Sequence, residues 1–90
     1  MKYRCKPIVL EAERFLGDLQ SLEAIERLIG KEFTPKEMAE IVTSDTIMLK
    51  SGANVEVVSL GDYVVKGIKG DCHPCRPDIF HELYNPVMEG

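Results

Sequence analysis

Two cysteines and a histidine stand together in Cys72-His73-Pro74-Cys75, the segment whose residue types are best suited to chemistry. A Cys-x-x-Cys pair is a redox dithiol when its first cysteine lies at a helix N-terminus, which lowers the thiol pKa. Zinc would need four ligands, and His81 is available as the fourth. The next helix is predicted to start later, at Pro77, and His73 lies awkwardly between the cysteines. We therefore predict small buried or half-buried residues at a sheet corner, with no metal and no cofactor.

Two lysines alternate with two glycines just before this segment, and an arginine follows it directly. The glycine spacing is Gly67-x-x-Gly70, which lacks the full phosphate-loop pattern and its Lys-Ser/Thr ending. The cations remain candidates for binding a nucleotide phosphate or an acidic partner: Lys66, Lys69 and Arg76. The alternative is that the glycines form turns and the cations are simply solvated.

Acidic residues are concentrated in residues 11–45, which hold nine acids against four bases. Carboxylates can occupy a nucleic-acid channel by standing where phosphates would lie. The candidate binding residues on this surface are Glu23, Glu26, Glu37 and Glu40, with Glu32 beside them. The alternative is a solvated helical face.

Two other acids, Glu11 and Glu13, share one face of a predicted strand, as a pair of catalytic carboxylates can. No histidine, serine nucleophile or second carboxylate loop is fixed near them, and no Ser-His-Asp arrangement or nucleotide fingerprint is present. We therefore predict no catalytic residues and a protein that is not an enzyme.

The size and composition predict one globular domain, residues 1–90. Apolar residues make up 44% and charged residues 29%, and no apolar run reaches the roughly 18–20 residues of a membrane span.

The charge of −4 is unfavourable for general or sequence-specific nucleic-acid binding. Three cysteines, an odd number, and the lack of a signal-peptide pattern predict a cytoplasmic protein. A chain this short has modest stability, or stability supplemented by self-association into a homo-oligomer.

Helix signals are clear in the first half of the chain. Asp18 or Ser21 can cap a helix that ends at Gly30, with apolar residues at three- and four-residue steps: Leu19, Leu22, Ile25, Leu28 and Ile29. Thr34-Pro35-Lys36-Glu37 is a capping box with proline at the first helical position, and it predicts a short helix that ends near Val42.

Strand signals lie on either side of these helices. We predict strands at 2–13, 46–50, 54–60 and 63–69, a short strand at 72–73 and a last edge strand at 87–88, with residues 46–69 forming a three-stranded antiparallel meander. A final helix from Pro77 to Tyr84 is expected to anchor the core through Ile79, Phe80, Leu83 and Tyr84. The predicted fold class is α+β, a small antiparallel sheet with two or three short helices packed on one face.

The run from Gly61 to Tyr84 also resembles a signature of small bacteriophage and prophage proteins. That signature is Gly-Asp-Tyr/Trp, two β-branched residues, a basic-Gly-aliphatic-Lys-Gly step, an acid, two aromatics, Pro-Cys-Lys-Pro-Asp-Ile-Phe and a closing Tyr. The opening of the chain, residues 1–12, is similar to that family's start. This chain departs from the pattern at Cys72 and His73, which replace the two aromatics.

The resemblance implies a phage accessory protein in the cytoplasm of an infected or lysogenic bacterial host. Proteins of this type act by stoichiometric contact, so we expect an inhibitor of a bacterial defence system, an anti-CRISPR first among them. Its partner would be a host defence protein such as a CRISPR effector. Two alternatives remain open: a small-ligand binder that sequesters a nucleotide signal, and a non-enzymatic virion or morphogenesis protein.

Overall fold

The computed structural model describes residues 1–2, 10–51 and 53–84, and these form three helices and five strands. The predicted α+β class is confirmed. In chain order the elements are β1 (Glu11–Arg14), α1 (Leu19–Ile29), α2 (Pro35–Ser44), β2 (Thr46–Ser51), β3 (Asn54–Ser59), β4 (Tyr63–Lys66), β5 (Cys72–Cys75) and α3 (Pro77–Leu83). The predicted strand at 87–88, and residues 3–9 of the predicted first strand, lie outside the described residues.

The helix ends follow the sequence signals. Asp18 caps α1 by accepting a hydrogen bond from the Ser21 N–H at 2.9 Å, and Gly30 closes the helix in the left-handed region with φ of 72°. Thr34 and Glu37 form the predicted capping box of α2. This second helix continues past Val42 to Ser44, because Asp45 supplies a left-handed C-cap with φ of 54°.

The strands form two separate antiparallel sheets, with the orders β1-β4-β5 and β2-β3. The predicted three-stranded meander over residues 46–69 is therefore wrong, because β4 pairs with β1 and β5 and does not pair with β3. The turn after β3 is bonded to the end of β1. Gly61 donates its N–H to the Phe15 carbonyl at 2.7 Å, and the Phe15 N–H bonds the Asp62 carbonyl at 2.8 Å. Gly61 adopts φ of 93°, a conformation that favours glycine.

The fourth strand is shorter than predicted, ending at Lys66 where the expected strand ran to residue 69. Residues after it form a tight turn, in which the Gly67 N–H bonds the Asp71 carbonyl at 2.7 Å and the Gly70 N–H bonds the Gly67 carbonyl at 3.0 Å. A side-chain carbon on Gly67 would lie 2.9 Å from the Asp71 carboxylate. A larger residue at position 67 would therefore require the Asp71 carboxylate to move.

The core lies where α1 and α2 meet the inner faces of both sheets. Its fully buried side chains are Phe15, Leu22, Ile25, Ile47, Val58 and Val64. The prediction that Ile79 and Leu83 of α3 are core residues is wrong, because both side chains are exposed. Phe80 and Tyr84 are half-buried. Leu19 in the first turn of α1 is also exposed.

Candidate functional site

The Cys72–Cys75 pair lies on a β-strand, a geometry unlike that of a redox dithiol. A catalytic first cysteine would need a helix N-terminus to lower its pKa, but the whole pair lies in β5, and α3 begins two residues after Cys75. Burial raises the pKa of the Cys72 thiol, and burial together with the nearby Asp62 raises that of Cys75. Both thiols are therefore protonated and weakly nucleophilic near neutral pH.

His73 has both of its ring nitrogens engaged by carboxylates. Its Nδ1 lies 2.7 Å from Glu56 Oε1, and its Nε2 lies 2.5 Å from Asp71 Oδ2. The hydrogen bond to Glu56, followed by the one to Asp71, raises the pKa of His73. The hydrogen bond between His73 and Asp71 also lowers the pKa of Asp71. A general base needs a free ring nitrogen, and so does a zinc ligand. Within the described ranges no group of three histidine, cysteine or acidic side chains is placed to hold a metal.

The three candidate cations do not converge. Lys66 ends β4 opposite Cys72, whereas Arg76 follows Cys75 at the other end of the same hairpin, about 13 Å away along the four residue steps from Cys72. Lys69 lies in the turn, where its charge helps to lower the pKa of Asp71. Arg76 pairs with Asp78 at 3.5 Å. A phosphate clamp needs cations around one point, and this arrangement does not provide it.

Two of the four candidate acids have bonds within the chain. Glu26 accepts a hydrogen bond from the Phe33 N–H at 2.7 Å, which holds the loop between α1 and α2. Glu37 closes the capping box with Thr34 and pairs with Lys31 at 3.1 Å. The Thr34 N–H, followed by Lys31, lowers the pKa of Glu37. Both acids therefore stabilise the local backbone in addition to contributing negative charge to the surface.

The other two candidates, Glu23 and Glu40, are exposed, and so is Glu32 between them. Within residues 10–51 and 53–84 these three carboxylates have no hydrogen-bond or ion-pair partner. Residues 19–45 hold six acids and three bases, which leaves a net charge of −3 on this helical layer. A hollow of about 520 Å³ near the end of α1 is lined by Glu23, Glu26 and Glu32 together with Arg27 and Lys31.

A groove of about 550 Å³ runs between α2 and β2 beside this acidic surface. Its apolar lining comes from Phe33, Ala39 and Ile41 on one side and from Ile47 and Met48 on the other. The hydroxyl-bearing residues Thr43, Ser44 and Thr46 also line it. Glu37, Glu40 and Lys36 stand at its rim. A concave apolar surface with a few charges at its edge is typical of a binding site.

The groove continues onto the outer face of the β2–β3 hairpin. Met48 lies opposite Val57, and these side chains with Val55 are exposed by 62%, 46% and 55%. None of these apolar residues was among the predicted binding residues. The signal was present, since apolar residues occupy both alternating faces of the hairpin and only one of those faces can point into the core.

An aromatic cluster fixes α3 on the first sheet. The Tyr63 and Phe80 rings stack with centroids 3.8 Å apart, and Arg14 lies 5.2 Å above the Tyr63 ring centroid. His81 and Tyr84 contact the Phe80 ring edge-on and tilted, respectively. Since both faces of Tyr63 are covered, the cluster serves to position the helix.

No helix formed by the described residues has the length and apolarity that a bilayer crossing requires. The chain matches no protein-family model, no curated protein and no solved structure. The groove between α2 and β2, with the acidic helical layer beside it, is therefore the candidate site on geometric grounds alone.

Proposed function

We propose that this protein acts by stoichiometric contact with a protein partner, without catalysing a reaction. The observation that carries the proposal is the groove between α2 and β2, an apolar concave surface that continues onto exposed Met48 and Val57. Apolar side chains that converge on a groove and stay in contact with water are typical of protein-interaction sites.

The charge beside the groove indicates the chemistry of the partner. The helical layer has a net charge of −3, and its Glu23, Glu32 and Glu40 carboxylates have no partner among the described residues. A matching surface would be basic around an apolar anchor, as in the channels of proteins that bind nucleic acid. Charges of this kind accelerate association and set its orientation, while the apolar groove supplies most of the affinity.

We further propose that the partner is a host defence protein that uses nucleic acid, with a CRISPR effector as the first example. The resemblance to phage accessory proteins supports this choice, and the acidic surface suits occupation of a phosphate-binding channel. The alternative of a sequestered nucleotide gains no support from Lys66, Lys69 and Arg76, because these cations lie at two ends of one hairpin.

A plaque assay tests the defence role. The chain is expressed in a bacterium with an active CRISPR system, and the plating of a targeted phage is counted. We expect the wild type to restore plating and Met48→Lys to lose that effect, because a charge then stands at the groove. Ile68→Lys, an equally drastic change at an exposed turn residue, is the matched control and should keep the effect.

Two results would contradict this proposal. Absence of restored plating by the wild type, at a confirmed level of expressed protein, would refute inhibition of that defence system. Equal loss in Met48→Lys and Ile68→Lys would refute the role of the groove. A calorimetric titration with cyclic nucleotides is the companion experiment, and saturable heat there would favour the nucleotide-sequestering alternative.

A further inference from the structure

His73 connects two sheets that share no backbone ladder. It lies on β5 of the first sheet, and Glu56 lies on β3 of the second. The two strands are neighbours across the boundary between the sheets. The 2.7 Å contact from His73 Nδ1 to Glu56 Oε1 is therefore a side-chain link between the two hairpins.

The geometry of this link requires a charged imidazole. An ionised carboxylate only accepts hydrogen bonds, so each of the two contacts needs an N–H on the ring. Neutral histidine has one N–H and can satisfy either Glu56 or Asp71, whereas the imidazolium has two and satisfies both. Loss of the proton therefore breaks one of the two bonds and places a nitrogen lone pair against a carboxylate.

We infer that His73 is a pH-sensitive clasp, which holds the β2–β3 hairpin against the β4–β5 hairpin more firmly when protonated than when neutral. The inference goes beyond the proposed binding function and does not depend on it. None of the three clasp residues, His73, Glu56 and Asp71, lines the α2–β2 groove, and the clasp concerns how firmly the two hairpins are held together.

The charged groups around the ring are few. Glu56 faces it from β3 and Asp71 from the turn before β5, with Lys69 acting on Asp71. The neighbouring β4 places Val65 directly opposite His73, and β2 places Leu49 directly opposite Glu56. Both carboxylates attract a proton to the ring, so the protonated state is favoured in the folded chain.

The direction of the pH effect follows from the raised pKa of His73. A histidine whose pKa is raised by folding stabilises the fold fully below its unfolded value of 6.5, and that contribution is lost as pH rises through the folded pKa. Asp71 affects stability at low pH. Its lowered pKa stabilises the folded chain, and this stabilisation is lost as pH falls below the ordinary aspartate value of 3.8. The clasp therefore holds most firmly in mildly acidic solution and weakens with rising pH.

The test compares melting temperatures at about pH 6 and about pH 8, which bracket the ordinary histidine range. The scan stops there because the Cys72 and Cys75 thiols, whose pKa values are raised, begin to contribute at higher pH. We expect the wild type to melt several degrees lower at the higher pH. His73→Gln should lose most of that difference, and Glu56→Gln should reduce it. His81→Gln removes the other histidine and should retain the difference.

A second measurement uses the unmodified chain and does not depend on any variant folding. Nitrogen-15 NMR of the imidazole across a pH titration should show both His73 ring nitrogens protonated in mildly acidic solution, with a midpoint above that of an ordinary histidine. A midpoint at or below the ordinary histidine value would overturn the inference. So would an unchanged pH dependence of the melting temperature in His73→Gln.

Discussion

Ile47 and Met48 are neighbours on β2 whose side chains leave the hairpin in opposite directions, so alanine at each position separates the buried face from the exposed one. Ile47 is fully buried and lies opposite Val58, which is also fully buried. Ile47→Ala removes three carbons worth about 0.8 kcal/mol each and leaves a cavity, for a loss of about 3 kcal/mol. In a chain of this size 1 kcal/mol is about 5 °C, so the melting temperature should fall by about 15 °C.

Met48→Ala is the control for this prediction. Met48 is 62% exposed, so its truncation should cost less than about 1 kcal/mol in the free energy of unfolding. Thermal unfolding followed by circular dichroism measures both variants, and urea unfolding gives the free energies independently. Equal losses in the two variants, or the larger loss at Met48, would refute the assignment of the inner and outer faces of the hairpin.

Three further changes test the local structure. Thr34→Ala should destabilise the fold by about 1 kcal/mol through loss of the α2 cap, whereas Thr34→Ser should be nearly neutral in urea unfolding. Gly17→Ala should lower the free energy of unfolding by about 1–2 kcal/mol, because Gly17 has φ of 82° and a Cβ there would lie 2.9 Å from Leu60 Cδ1. The same urea assay measures this loss, and a neutral result would contradict the turn geometry. Phe80→Ala removes the stack on Tyr63, so amide hydrogen exchange should accelerate in α3 and stay unchanged in β2 and β3.

The helix ends were readable from sequence because their determinants are local. The Asp18 cap, the left-handed Gly30 and the Thr34–Glu37 capping box each lie within a few residues of the groups they satisfy. Only the end of α2 was misplaced, since Asp45 is a less obvious left-handed residue than glycine.

The pairing of the strands could not be read in the same way. Whether β4 joins β3 or β1 depends on the bonds between Phe15 and the Gly61–Asp62 turn, which lie 46 and 47 positions apart in the chain. The β3–β4 turn has ordinary hairpin composition, so its sequence favours the meander that does not form. Non-local contacts of this kind leave no periodic signal.

The chemistry of His73 was missed for a related reason. Its spacing to Cys72 and Cys75 suggested a metal ligand or a corner residue, whereas its main partner, Glu56, is 17 positions earlier on another sheet. The exposed Ile79 and Leu83 were assigned to the core because helical spacing identifies an apolar stripe without showing what covers it.

The most direct test of the proposed contact is a quantitative capture from host lysate with three forms of the chain. One is the wild type, one carries Gln at Glu23, Glu32 and Glu40, and the control carries Gln at the exposed Glu11, Glu13 and Glu82, with the same change in charge. The wild type and the control should each retain one and the same nucleic-acid-using host protein in near 1:1 amount. The first triple variant should retain about tenfold less, and capture should weaken as salt rises. Equal capture by all three forms, or equal loss in both variants, would contradict the assignment of the α1–α2 surface as the binding site.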